Sequence, residues 1–150
     1  MVDKLYKDVT PNVRVEISKV LGPASILFKR DVCTKYFLPI VRTFFKDETM
    51  DVRCEIVTSC AQIMEVLTPQ QILTQIVPLV VELNKDKSWR VRRRVLLLYP
   101  SLAQILGPKT FEKRLLTDVA ATFHDHNQTP RSTMCEISPK FIQIFGLRWF

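Results

Sequence analysis

Apolar residues recur along the chain at spacings of three and four, which is the period of one face of an α-helix. The pattern runs for about four turns, and an apolar face at the same place recurs 39 residues later, and twice more after that. The apolar positions are Val13, Ile17, Val20, Leu21, Ala24 and Leu27; Val52, Ile56, Cys60, Ile63, Val66 and Leu67; Val91, Val95, Leu98, Leu102, Ile105 and Leu106; and Met134, Ile137, Phe141, Ile144 and Phe145. The pattern therefore predicts four amphipathic helices at a constant step.

A polar turn precedes each of these helices and repeats with the same step. Each turn opens on an aspartate, and an arginine follows it six residues later. The aspartates are Asp8, Asp47, Asp86 and Asp125, and the arginines are Arg14, Arg53, Arg92 and Arg131. A strict period near 40 residues with helical pattern between the marks is typical of stacked helical hairpins. We therefore expect an all-α fold: one α-solenoid of about four hairpins over residues 1–150, with turns near 8–14, 47–53, 86–92 and 125–131.

The first helices of the hairpins are predicted at about 31–46, 69–85 and 109–124. Thr68 and Pro69 favour a helix start, because the hydroxyl can cap the helix and proline is tolerated at its first position. Pro39 and Pro78 share one position in the first helices, and Pro100 and Pro139 share one in the second helices. Since an interior proline removes a backbone hydrogen bond and bends the axis, repeated bends are predicted.

Composition narrows the class of protein. The net charge is +7, but the basic residues lie mostly at helix ends and turns. This distribution argues against direct binding of nucleic acid. The longest uncharged stretch, 66–81, is interrupted by polar residues and two prolines, so no membrane span is predicted. The four cysteines, Cys33, Cys54, Cys60 and Cys135, form no CxxC pair. We expect them to be buried, reduced thiols in a cytoplasmic or nuclear protein.

Nothing in the sequence favours catalysis. We find no nucleophile beside a base, no carboxylate pair in an apolar pocket and no glycine-rich phosphate loop, so a non-enzyme without cofactors is predicted. His124 and His126 flank Asp125, a spacing that would suit a metal site. Lysine occupies the position of His124 in the three other turns, as Lys7, Lys46 and Lys85, which favours an exposed turn and no metal.

A 39-residue hairpin with proline in its first helix and a turn of the form Asp-x-x-x-x-Val-Arg resembles the HEAT repeat. Segments 37–41, 45–48, 51–53, 77–78, 82–83, 86–92, 98–107 and 111–115 are, more narrowly, similar to the scaffold (A) subunit of protein phosphatase 2A. That scaffold is longer and acidic, whereas this chain carries +7. The HEAT-repeat regulatory subunit 1 of protein phosphatase 4, a fragment or a truncated paralogue therefore stays open as an alternative.

The resemblance implies a non-catalytic scaffold or regulatory subunit whose turns hold the catalytic subunit of a Ser/Thr phosphatase and a further regulatory subunit. Carried over by position, the partner-binding candidates are Glu48, Thr49, Met50, Lys87, Ser88, Trp89, Arg90, Asn127 and Gln128. Trp89 is the first choice, because tryptophan often dominates interface energy. Packing of its ring over its own turn is the alternative. A second function also stays open: a HEAT adaptor in transport or chromatin that binds acidic protein or nucleic acid.

The repeated Asp and Arg residues have a different expected role. Because every turn carries them, we expect a structural ladder in which the Asp of one turn bonds the Arg of the next repeat. The first and last repeats lack a polar capping face, so end-to-end self-association is a further possibility.

Overall fold

The computed structural model describes residues 6–149, and these form an all-α, HEAT-type fold, as predicted. The helices are α1 (Pro11–Val32), α2 (Leu38–Phe45), α3 (Met50–Val66), α4 (Pro69–Gln71), α5 (Val77–Leu83), α6 (Trp89–Thr122) and α7 (Gln128–Phe145). Two π-helical segments, Cys33–Phe37 and Ile72–Ile76, join first-helix pieces. The second helices of the hairpins begin at Pro11, Met50, Trp89 and Gln128, and neighbouring starts are 39 residues apart.

Helices α1 and α6 each contain a second helix followed by the first helix of the next hairpin. The break within α1 lies at Lys29 (φ 63°, ψ −174°), and the break within α6 lies at Gly107 (φ 73°, ψ 168°). Both residues have positive φ and extended ψ, a region that glycine adopts easily and lysine does not. The first helices end at Phe45, Leu83 and Thr122, slightly before the predicted ends, because the following residues already bond within the turn.

The first-helix prolines follow the π-helical segments. Pro39 comes two residues after Cys33–Phe37, and Pro78 comes two residues after Ile72–Ile76. Proline has no N–H, and its ring crowds the carbonyl four residues earlier, so the wider π turn is the local adjustment at both sites. Pro100 and Pro139 lie inside α6 and α7 without such a segment. The prolines thus predicted where the first helices depart from regular α-helix, and the structure shows that the departure is a π-helical segment.

The described chain divides into two compact units, one ending at Gln75 and one starting at Ile76. In unit 1, α1 packs on α3 over a core that includes Phe44, Ile56 and Ile63. In unit 2, α6 packs on α7, and the rings of Phe111 and Phe141 lie 5.5 Å apart in its core. That the two units belong to one array stays a prediction.

The cysteines do not share one environment. Cys33, Cys54 and Cys60 are buried in unit 1, whereas Cys135 is exposed on α7. The expectation of four buried thiols is therefore wrong for Cys135, because the face of α7 on which it lies is not covered by another helix in unit 2. Within residues 6–149, no helix combines the length and apolarity needed to cross a membrane.

Candidate functional site

Each turn is closed by its aspartate. The carboxylate Oδ1 accepts a hydrogen bond from the backbone N–H two residues later, the geometry of an Asx turn. The bonds are Thr10 N–H to Asp8 (2.8 Å), Thr49 to Asp47 (2.9 Å), Ser88 to Asp86 (2.8 Å) and Asn127 to Asp125 (2.8 Å). Four turns with one hydrogen-bond pattern hold the start of each second helix in the same way.

The arginine of each turn bonds back to the same turn. Its Nη1 donates to the backbone carbonyl of the aspartate, at 2.7 Å for Arg14, Arg53 and Arg92. Arg131 makes the same bond to Asp125. These bonds satisfy carbonyl groups in the turn and fix the orientation of the guanidinium. The side of the guanidinium that carries Nε and Nη2, called its Nε edge, then points away from its own turn.

That Nε edge reaches the next turn in both described pairs. Arg14 donates Nε to Asp47 Oδ2 (2.8 Å) and Nη2 to Oδ1 (3.0 Å). Arg92 donates Nε to Asp125 Oδ2 (2.6 Å) and Nη2 to Oδ1 (2.7 Å). Both pairs are bidentate, the strong form of a charged hydrogen bond. They connect successive turns within unit 1 and within unit 2.

The expected direction of the ladder was wrong. We expected the Asp of one turn to bond the Arg of the next repeat, whereas the Arg of one turn bonds the Asp of the next. The reason is the anchoring described above: Nη1 of Arg14 is held by its own turn, which leaves Nε and Nη2 facing Asp47.

The pairing changes the proton affinity of its groups. The hydrogen bonds from Arg92 lower the pKa of Asp125, and the N–H of Asn127 lowers it further, against a smaller opposing effect of burial. The same pair raises the pKa of Arg92. The side chains are 16% and 9% exposed, so water screens this pair less than a surface ion pair. The charged groups of Arg92 and Asp125 are therefore bonded to each other and do not face a partner.

Trp89 and Arg90 have a different environment. Trp89 is the first residue of α6, the position that Met50 and Gln128 occupy in their helices. Its ring is half-buried, and Cζ of the exposed Arg90 lies 4.7 Å from the ring centre, within cation–π range. The two side chains form one partly exposed surface at the turn.

Trp89 also lines a groove of about 460 Å³ between the starts of α6 and α7. Arg93 lies on the same side, one helical turn after Trp89, and its Nε donates to Thr133 Oγ1 (3.2 Å). Gln128, Thr129, Ser132 and Glu136 complete the lining. Arg93, Ser132 and Glu136 were not among the predicted contact residues, although the i, i+4 spacing from Trp89 to Arg93 indicates a shared helix face.

The other candidates lie in two separate turns. Glu48 is 88% exposed, with Oε1 3.6 Å from Arg14 Nη2. Thr49 Oγ1 accepts a hydrogen bond from the same nitrogen (3.2 Å), and Met50 is half-buried. These three residues belong to unit 1.

In unit 2, Lys87 is exposed and Ser88 is half-buried before α6, and Asn127 and Gln128 begin α7. His124 and His126 are exposed. Across the described residues, no three His, Cys, Asp or Glu side chains come together in a group that could hold a metal ion.

A family model described as PPP2R1A-like HEAT repeat matches residues 30–107, which is more than half of the chain. The matched range contains the turns that open on Asp47 and Asp86, together with Trp89 and Arg90. No curated protein matches the chain significantly.

Proposed function

The chain belongs to the PPP2R1A-like HEAT-repeat family, and from this we propose that it is a non-catalytic scaffold subunit of a Ser/Thr protein phosphatase. The observation that supports this most is the Trp89–Arg90 surface beside the groove in unit 2. The Asp and Arg residues of the turns bond one another, whereas this surface offers an aromatic ring and an exposed guanidinium. It is the turn surface best suited to a protein partner.

The mechanism is positional. A scaffold that holds a catalytic subunit beside a substrate-selecting subunit raises the effective concentration of one for the other and makes no bond itself. The identical Asx turns and Arg–Asp pairs would hold successive turns at a fixed spacing within each unit. Residues 48–50 in unit 1 and 87–90 in unit 2 are the proposed contact points.

Trp89 is proposed as the main contact. Tryptophan and arginine are enriched among residues whose truncation costs about 2 kcal/mol or more at interfaces. A ring with a stacked guanidinium is already partly ordered, so less conformational entropy is lost on binding. Ser88 and Lys87 would form the polar rim.

The test is binding of the purified catalytic subunit of protein phosphatase 2A or 4 to the intact chain, measured by pull-down and calorimetry. Trp89→Ala is expected to weaken binding by about 30-fold, and Arg90→Ala by less. Lys113→Ala, which removes an exposed lysine elsewhere on α6, is the control and should leave affinity within about twofold. Circular dichroism verifies that each variant is folded. If the intact chain retains neither catalytic subunit, the proposal is wrong.

Salt dependence separates this function from an electrostatic adaptor. Binding that depends on neutralising phosphates or acidic loops falls steeply between low and physiological salt, whereas a Trp-centred interface is less sensitive. We expect the weak dependence. A cytoplasmic or nuclear location goes with the proposal.

A further inference from the structure

The start of α6 carries a charge that the starts of the other second helices do not carry. At the second, fifth and sixth positions of the helix, α6 has Arg90, Arg93 and Arg94, whereas α3 has Asp51, Cys54 and Glu55. In α1 and α7 the same three positions hold no basic residue. The positive charge is therefore particular to this repeat and is not required by the turn itself.

Arg93 is the one of these three arginines that lines the groove of about 460 Å³ between the starts of α6 and α7, called the Trp89 groove. Its Nε donates to Thr133 Oγ1 at 3.2 Å, which orients the planar guanidinium. Among residues 6–149, its two Nη groups have no hydrogen-bond or ion-pair partner. Because Arg93 is half-buried, water screens a charge bound there less than one at the open surface. An oriented guanidinium of this kind is suited to a carboxylate.

The α7 wall of the groove offers uncharged hydrogen-bonding groups. The amide of Gln128 and the hydroxyls of Thr129 and Ser132 line the groove, and their side chains form no hydrogen bond to another described residue. Amides and hydroxyls can bond both the N–H and the C=O groups of an extended peptide. Helices α6 and α7 pack on each other within unit 2, so that packing sets the width of the groove.

One acidic side chain limits what the groove can bind. Glu136 is exposed on the α7 wall, three residues after Thr133, and forms no ion pair with another described residue. Three residues of helix span about 4.5 Å along the axis. A single carboxylate on Arg93 can avoid Glu136 by lying toward Gln128, whereas a run of phosphates or acidic side chains along the groove would meet its charge. The groove therefore fits a peptide with one acidic residue better than nucleic acid or a polyacidic tract.

We infer that the Trp89 groove binds an extended peptide segment of a partner protein, with one aspartate or glutamate of that segment on Arg93 and an apolar residue against Trp89. The inference rests on the proposed scaffold function and specifies what the partner presents to this surface. The Nη groups of Arg93 donate to the carboxylate, and the α7 wall bonds the peptide backbone. One ion pair changes the salt dependence far less than a site for several phosphates, so the weak dependence expected above is retained.

Selection of peptides on the intact protein tests the occupant. A library of random peptides displayed on phage is selected on the unchanged protein, on Arg93→Gln and on Lys113→Gln. Lys113→Gln is the matched control, because it removes the same charge from an exposed residue of α6 outside the groove. We expect aspartate or glutamate at one fixed place beside an apolar residue for the unchanged protein and the control, and no acidic preference for Arg93→Gln. Circular dichroism verifies that both variants fold.

Synthetic peptides then measure the pairing itself. The selected sequence is made with glutamate, glutamine or phosphoserine at the fixed place, and binding is measured by fluorescence anisotropy. Glutamine in place of glutamate should weaken binding to the unchanged protein by about 10-fold or more, whereas Arg93→Gln should bind these two peptides within about twofold. Arg93→Lys keeps the charge without the bidentate geometry and should recover part of the preference.

The inference is wrong if selection yields no acidic preference, or if Arg93→Gln still prefers glutamate to glutamine. Tighter binding of the phosphoserine peptide, or of a single-stranded oligonucleotide, would also overturn it, since the occupant would then be a phosphate group. A protein that selects acidic peptides but retains no phosphatase catalytic subunit would contradict the proposed function alone. Phosphatase binding without any acidic preference would contradict this inference alone.

Discussion

The turn residues fall into two groups. The charged groups of one set are hydrogen-bonded within the chain, and the side chains of the other set keep exposed surface. Arg14 and Arg92 each bond a carbonyl of their own turn and both carboxylate oxygens of the next turn. Leaving either partner buried and unpaired would cost more than the pair contributes, so these residues define the spacing of the turns. Trp89 and Arg90 keep exposed surface, and the proposed binding is therefore placed on them.

The Arg92–Asp125 pair can be tested with Asp125→Asn. The amide oxygen can still accept the N–H of Asn127, so the turn is kept while the charge is lost. We expect the free energy of unfolding at pH 7, measured with urea, to fall by about 1–3 kcal/mol. Asp31→Asn, on an exposed residue, should change it by less than about 0.5 kcal/mol.

The same variant gives a pH prediction. Because the pKa of Asp125 is lowered in the folded protein, its contribution is present above the unfolded value of about 3.9 and is lost as pH falls through the folded pKa. The difference in stability between the original protein and Asp125→Asn should therefore shrink below about pH 4. A difference that stays constant from neutral to acid pH would contradict this account.

At the scale of elements, the backbone changes direction between one second helix and the next first helix at the same position of each repeat. Three residue types, lysine, threonine and glycine, occupy that position. Lys29, Thr68, Gly107 and Gly146 are successive residues at the 39-residue step. Lys29, Gly107 and Gly146 have positive φ, whereas Thr68 has φ −74° and begins α4 with a capping box to Gln71. The glycines adopt this conformation without a Cβ clash, and Thr68 avoids it. Only Lys29 adopts it with a side chain, so strain is expected there.

Lys29→Gly should therefore stabilise the protein. Relief of backbone strain is worth about 1–3 kcal/mol, and the greater freedom of glycine in the unfolded chain offsets part of it, so we expect a net gain of about 1 kcal/mol. Lys140→Gly, at an exposed position inside α7, is the matched control and should cost about 1 kcal/mol. Thermal melts of the three proteins measure both effects, and destabilisation by both glycines would show that Lys29 is not strained.

At the scale of the molecule, the reactivity of the four thiols reports whether the helices are packed as the structure shows. Burial raises the pKa of Cys33 to about 11 and that of Cys60 to about 12, so neither forms much thiolate at neutral pH. Cys54 is also buried, and Cys135 is exposed. The native protein thus presents one accessible thiol of four.

We expect one thiol to react rapidly with a thiol reagent in dilute native protein, and all four to react in urea. Cys135→Ser should remove the rapid phase and leave the slow one. Rapid reaction of the native Cys135→Ser protein would mean that the unit 1 core is open.

Much of this structure follows from local pattern. The apolar period located the second helices, whose starts repeat at the predicted step, and the Asp-x-x-x-x-Val-Arg turns located the polar contacts. Proline at fixed positions located the irregular first helices. These features are readable because helix periodicity, Asx turns and proline geometry act over a few residues of chain.

The tertiary structure decided which groups meet. The amino-acid sequence determined that every turn has an Asp and an Arg, but only the packing of successive helices determined that Arg14 bonds Asp47 and that the ladder runs in this direction. It also placed Arg93 beside Thr133 in the Trp89 groove and left Cys135 uncovered. The physical reason is that local pattern sets the face on which a side chain lies, whereas its partner depends on the distance and rotation between two packed helices.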